Sequence, residues 1–229
     1  VQVLSKLTEV LKEAENIIKK ALREDIDNDP EGALEKFTLA MNMLESIDCS
    51  DESLLCKRRL SMLSYVMLRV NEALVRLGKS ELHQSVAMLE KALHMAEASG
   101  DAVQIARCKF ALGIRYGSHN MISEALNNVR EAHDIIKDRI DREAMITKGW
   151  ALVAEAYFDL TQGQIDESLT VINSAIKVLE KAGNFAGLSQ AYDVKARIYI
   201  KRGSSENAER SLKMADEYRE KARKVKQIT

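Results

Sequence analysis

One pattern recurs five times in this chain: a small residue, a large apolar residue four positions on, and alanine seven positions on. The instances are Ala33, Phe37, Ala40; Ser85, Leu89, Ala92; Ala125, Val129, Ala132; Ser168, Ile172, Ala175; and Ala208, Leu212, Ala215. Offsets of four and seven put all three side chains on one stripe of a helix. The small residues let a neighbouring helix approach and the large one fills the gap between them. The first members lie 52, 40, 43 and 40 residues apart, so an atypical first unit precedes four near-regular ones. A fixed period between 20 and 50 residues is the mark of a repeat array, in which each unit buries its apolar face only against its neighbours.

Each stripe occupies the second helix of a hairpin. The first helices carry a small residue three before an aromatic: Gly113 and Tyr116, Ala154 and Tyr157, Ala196 and Tyr199. Gly78, Gly117, Gly163 and Gly203 fall inside the hairpins, where a left-handed residue is expected to end a helix, and Gly100, Asp138 to Asp141 and Gly183 separate one hairpin from the next. This punctuation predicts ten helices, over 1–26, 30–47, 51–77, 82–98, 101–117, 121–138, 141–162, 165–181, 184–202 and 205–226. Composition agrees: 46% apolar residues, 30% charged, one proline and only 5% aromatics leave little material for strands and turns and exclude an all-β or α/β fold. The expected class is therefore all-α, a right-handed superhelix of about five helical hairpins. It forms one domain: an atypical N-terminal hairpin (1–50), regular repeats (51–202) and a capping helix (203–229).

Thirty-four basic and 35 acidic residues nearly cancel, which argues against the one-sided field of a dedicated nucleic-acid or anionic-membrane binder. Cys49, Cys56 and Cys108 are too few for a disulfide framework, so a reducing compartment is the expectation. No apolar run reaches the ~18–20 residues of a membrane span and no signal peptide is recognisable; a cytoplasmic protein is expected.

Ala111-Leu112-Gly113-Ile114-Arg115-Tyr116 followed by Glu124-Ala125-Leu126, Val129 and Ala132 resembles the tetratricopeptide repeat, as does Tyr192 through Ala196, Tyr199, Gly203, Ala208, Leu212 and Ala215. The likeness covers about residues 65 to 216. The period is ~40 rather than the family's 34 and the closing proline is absent, features similar to the long repeats of kinesin light chains and bacterial regulator sensor domains. This resemblance implies a superhelix whose first helices line a concave groove that holds peptides, helices or partner domains. The family's chaperone-tail clamp is not supported, because Val70, Leu74, Phe110 and Ala111 stand where lysine and asparagine are required.

Aligning the first helices on their small residues gives the inward side chains. They are Met67, Val70 and Leu74; then Arg107, Phe110, Ile114 and Ser118; then Gln190, Asp193, Arg197 and Lys201. For the seventh helix two registers stay open, one with Trp150, Val153, Tyr157 and Thr161 inward, the other with Lys148, Ala151, Glu155 and Asp159. On the first, the groove runs from apolar to charged and suits an amphipathic helix or mixed peptide. The candidate partner-binding residues are Val70, Arg107, Phe110, Ile114, Trp150, Tyr157, Asp193, Arg197 and Lys201. Each aromatic has packing between helices as its alternative role.

Val3, Leu7, Val10, Ala14, Ile17 and Ala21 form a heptad seam that either pairs two copies into a homodimer or caps the first hairpin against Phe37 and Leu44. The basic terminus, Arg219 to Lys226, is explained by helix-dipole complementarity. No phosphate loop or dinucleotide fingerprint is present. His83 and His94, 11 residues apart, would sit about 16 Å from each other on a helix, too far for one metal. Asp25, Asp27 and Asp29 resemble the start of a calcium loop, but Pro30 replaces its glycine and Lys36 its glutamate, so a helix-breaking linker is expected. No cofactor and no catalytic set is expected. The function read from the sequence is a non-enzymatic scaffold that binds a peptide or helix, with neither nucleic acid nor membrane as partner. Two alternatives remain: the sensing portion of a regulator whose effector lies outside this chain, and a self-assembling protein joined through residues 1–26.

Overall fold

The computed structural model describes residues 2–23, 28–49 and 53–228, and among them there are ten helices and no strand. These are α1 (Gln2–Arg23), α2 (Pro30–Glu45), α3 (Leu54–Arg76), α4 (Leu82–Ser99), α5 (Ala102–Gly117), α6 (Ile122–Ile135), α7 (Arg142–Thr161), α8 (Ile165–Ala182), α9 (Phe185–Arg202) and α10 (Ser205–Ile228). The chain divides into two compact units, residues 1–115 and 116–229, each with its own core.

The recurrent stripes account for the cores. All three members are buried in α2, α4, α6 and α8. In α10 the stripe departs from expectation: Ala208 and Ala215 are buried, but Leu212 is 45% exposed and Ser211 takes the inner place. Small polar residues inside the array are satisfied by the backbone of a neighbouring helix. Ser64 Oγ donates to Ala92 O at 2.7 Å, Ser168 Oγ to Ala156 O at 2.6 Å and Ser189 Oγ to Ala215 O at 3.0 Å. These bonds bring backbones close while leaving no orphan hydroxyl in the core.

In residues 1–115, α1 packs on the first hairpin. Leu7, Leu11, Ala14, Ile18 and Ala21 are buried in the same core as Phe37 and Leu44. Of the seam itself, Leu7, Ala14 and Ala21 cap the first hairpin from inside the core, Val10 and Ile17 are half-buried, and the side chain of Val3 lies outside the described residues. Asp29 accepts the Gly32 amide at 2.9 Å, with Pro30 opening the helix, so it is an N-cap. Asp25 and Asp27 lie outside the described residues. Cys49 and Cys56 are joined in a disulfide, with Cα atoms 5.6 Å apart, a bond that the expectation of a reducing compartment did not include. Two bonded cysteines make no framework, yet Cys56 in the first turn of α3 is thereby tied to the chain leaving α2. Cys108 stays a thiol, held in the core beside Ser64 and Gln104, and burial pushes it up to about 11.

In residues 116–229 the turn between α5 and α6 differs from its reading. Gly117 is not left-handed; it ends α5 against the Phe158 ring, where an added methyl group would overlap that ring. The left-handed residue is Asn120 (φ 59°), a type that tolerates this conformation. Helix α6 stops at Ile135, short of the expected 138, and beyond its end the buried Lys148 ammonium donates to Lys137 O at 2.7 Å and Arg139 O at 2.9 Å. Arg142 does the same for α8, donating to Ala182 O at 3.1 Å, and in the first unit Arg59 donates to Leu44 O at 2.6 Å. A cation from a first helix thus repeatedly holds the carbonyl end of a second helix, where the helix dipole is negative.

Candidate functional site

Each unit has its own surface of interest on its first helices, α3 and α5 in one and α7 and α9 in the other. In residues 1–115, Arg107 of α5 lies with its guanidinium carbon 5.7 Å from the centre of the Tyr65 ring of α3. Arg69, one turn after Tyr65, places its guanidinium carbon 5.3 Å from the same ring and donates to the tyrosine hydroxyl at 3.2 Å. Phe110 and Ile114 follow Arg107 at three and seven residues, which is the spacing of one helix face. Phe110 is half-buried and Ile114 is 43% exposed. Val70 is 3% exposed and part of the core, so it leaves the candidate set. Tyr65 and Arg69 were missed in the sequence; their four-residue spacing is visible there, but the ring's meeting with Arg107 depends on how α3 packs beside α5.

In residues 116–229 the register of α7 is resolved by its partners. Lys148 is turned to the end of α6, and Glu155 and Asp159 receive Arg130 of α6 at 3.0 and 2.9 Å. That row faces α6. Trp150 and Tyr157 lie on another face, where the Arg197 guanidinium of α9 sits 5.9 Å from the Tyr157 ring centre. Trp150 is half-buried, and Tyr157, Arg197 and Lys201 are exposed. Asp193 is tied to Arg219 of α10 at 2.9 Å, so its carboxylate serves the α9–α10 hairpin. The basic terminus is used in the same way: Lys221 lies over Tyr218 at 5.0 Å, and Tyr218 stacks on both Tyr192 and Phe185.

Two open hollows lie in this unit. One of about 340 Å³ is lined by Arg130, His133, Asp134, Leu152, Glu155 and Val171; the other, about 180 Å³, lies beside Tyr192, Lys195 and Arg210. The Asp159 carboxyl next to the first is held above the ordinary carboxylate range by burial, against the pull of Arg130. Its ion pair with Arg130 closes the α6–α7 contact, which is a packing role. Among the described residues no group of three or more His, Cys, Asp or Glu could hold a metal ion, and no helix is long and apolar enough to cross a membrane. What the first-helix faces offer is side-by-side aromatic, aliphatic and guanidinium groups, a chemistry of binding.

No family model matches the sequence, and no curated protein matches it. Solved structures do match. PlcR of Bacillus thuringiensis, in complex with the peptide PapR7 and DNA, superposes with a TM-score of 0.73 at 14% identity, over 95% of this chain and 74% of that one. BtubC of P. vanneervenii gives 0.63 at 13% identity, over 96% and 91%. A Podosopora anserina protein of the kinesin light chain type, with nearly identical TPR-like repeats, gives 0.60 at 13% identity, over 92% and 97%. At these identities the likeness establishes the fold. The chain is an all-α helical-repeat protein with the TPR-like fold.

Proposed function

We propose that this chain is a non-enzymatic interaction scaffold that holds a peptide or helix of a partner protein against its first helices. The observation that carries this reading is Tyr157, 38% exposed on α7 with the Arg197 guanidinium beside its ring. The helices otherwise direct most of their large apolar side chains into the cores, so an aromatic kept outside and flanked by a cation gives a partner both an apolar anchor and a charge to meet. Ile114, beside Phe110 and Arg107, supplies the same combination in the other unit. A second reading is favoured by the match to PlcR, a protein whose solved complex contains a peptide and DNA. On that reading this chain is the peptide-sensing part of a regulator, and its effector domain lies outside it. A cytoplasmic location belongs to both readings and requires the fold to persist with Cys49 and Cys56 reduced.

The test is partner capture with Tyr157→Glu and Phe110→Glu, followed by reconstitution of each captured protein from purified components. The expected result is loss of binding with helical content and melting temperature retained. Undiminished binding, or unfolding of both variants, overturns the proposal.

A further inference from the structure

The three cysteines of the chain sit at three depths, and depth decides which sulfur a reagent reaches. Cys49, on the stretch between α2 and α3, is half-buried and packs against the edge of the core of residues 1–115. Cys56, bonded to it, is 2% exposed and belongs to that core. Cys108 is fully buried, with its sulfur 3.3 Å from Ser64 Oγ and 3.7 Å from Gln104 Nε2. A thiolate opens a disulfide by approaching one sulfur in line with the bond and expelling the other, so access selects the sulfur attacked. Core side chains surround Cys56, whereas Cys49 keeps a side open to solvent.

The sulfur expelled by attack at Cys49 is that of Cys56, third residue of α3, whose amide is capped by Ser53 Oγ at 3.3 Å. The positive end of the helix favours a thiolate at this place and burial disfavours it, which slows the departure without redirecting it. The bond is also not the only tie between the two helices. Arg59 of α3 donates to Leu44 O of α2 at 2.6 Å, and Phe37, Leu44 and Leu63 share one core. Opening the disulfide therefore leaves α2 and α3 packed.

We propose that Cys49 is a thiol-exchange site of the folded protein, which takes a low-molecular-weight thiol of the glutathione class as a mixed disulfide, with Cys56 as the resolving sulfur. In the forward step the small thiolate bonds to Cys49 Sγ, the Cys49–Cys56 bond breaks, and its electron pair leaves on Cys56 Sγ, which takes a proton from water. One disulfide replaces another, so no oxidant is consumed. In the reverse step Cys56 gives up its proton, attacks Cys49 Sγ and expels the small thiolate. Cys108 takes no part. The site makes the α2–α3 connection responsive to the thiols around the protein, whatever partner the first helices hold.

The test incubates the full chain with reduced glutathione and, after reduction, with oxidised glutathione; samples are quenched in acid and adducts on each cysteine are mapped by peptide mass spectrometry. Glutathione is expected on Cys49 at about tenfold or more the level on Cys56 or Cys108, with helical content retained in circular dichroism. Cys56→Ala, which lacks the resolving sulfur, should accumulate the Cys49 adduct under oxidised glutathione, and Cys49→Ala should react at Cys56 about tenfold more slowly. The unaltered chain decides alone if either variant does not fold. Adducts on Cys56 that equal or exceed those on Cys49, or no adduct on Cys49 under either condition, overturn the proposal. So do adducts on Cys108 that keep pace with Cys49, because a fully buried thiol reacts only when the unit unfolds.

Discussion

Lys148 is a lysine inside a helical array, and its ammonium is there to hold two backbone carbonyls past the end of α6. Removing it leaves those carbonyls without a charged donor at the negative end of a helix dipole, so Lys148→Met should cost about 1–3 kcal/mol in urea unfolding. An unchanged midpoint would mean that water replaces the ammonium without loss. Asp159 makes a prediction in pH. Burial raises its folded pKa above the ordinary value, so the folded state favours the protonated form. Its contribution to stability is then fully present below the ordinary ~3.9 and is lost as pH rises through the raised folded value. Asp159→Asn removes that dependence, so its stability relative to the unaltered chain should rise as pH climbs from the ordinary value through the raised one. A variant that loses ground over this interval contradicts the assignment. The limits of the sequence are clearest at this scale. Gly117 and Gly163 look alike in the string, yet one is there for close contact with Phe158 and the other for a left-handed turn. Only the neighbour that comes across the space tells them apart.

Elements were more legible than single residues. The small, large, alanine stripes are local, their spacing matches the helical period, and the burial they imply follows with little help from distant parts of the chain. The α10 stripe failed at Leu212 because α10 packs on α9 and has no further helix over that side among the described residues. Helix α1 illustrates a choice that pattern alone leaves open, since a heptad seam is the same whether it meets a second copy or the chain's own hairpin. Its burial with Phe37 and Leu44 predicts that Leu11→Ala lowers stability by about 2–5 kcal/mol and leaves sedimentation unchanged. Conversion of a dimer to a monomer by this substitution would show that the seam works between chains. The α2–α3 connection is closed by Cys49 and Cys56, seven residues apart. For a loop this short, chain entropy assigns the bond about 2.5 kcal/mol. Reduction with dithiothreitol should lower the unfolding midpoint of residues 1–115 accordingly, and identical midpoints with and without reductant would remove the bond from the account.

At the scale of the molecule, a repeat array separates two tasks by helix type. Second helices carry the packing stripes, and first helices carry both the cations that hold the carbonyl ends and the aromatics left outside. The division of labour was readable as far as the stripes went, but the meeting of Tyr65 with Arg107 was not, because it emerges only when α3 and α5 are set side by side. The most direct measurement is site-specific photo-crosslinking in the native cell, with benzoylphenylalanine placed at 114, 157 or, on the second helix α8, 177. Crosslinks to one partner protein from positions 114 and 157, with none from 177, are what this account predicts. A partner captured from 177 and from neither first-helix position would contradict it.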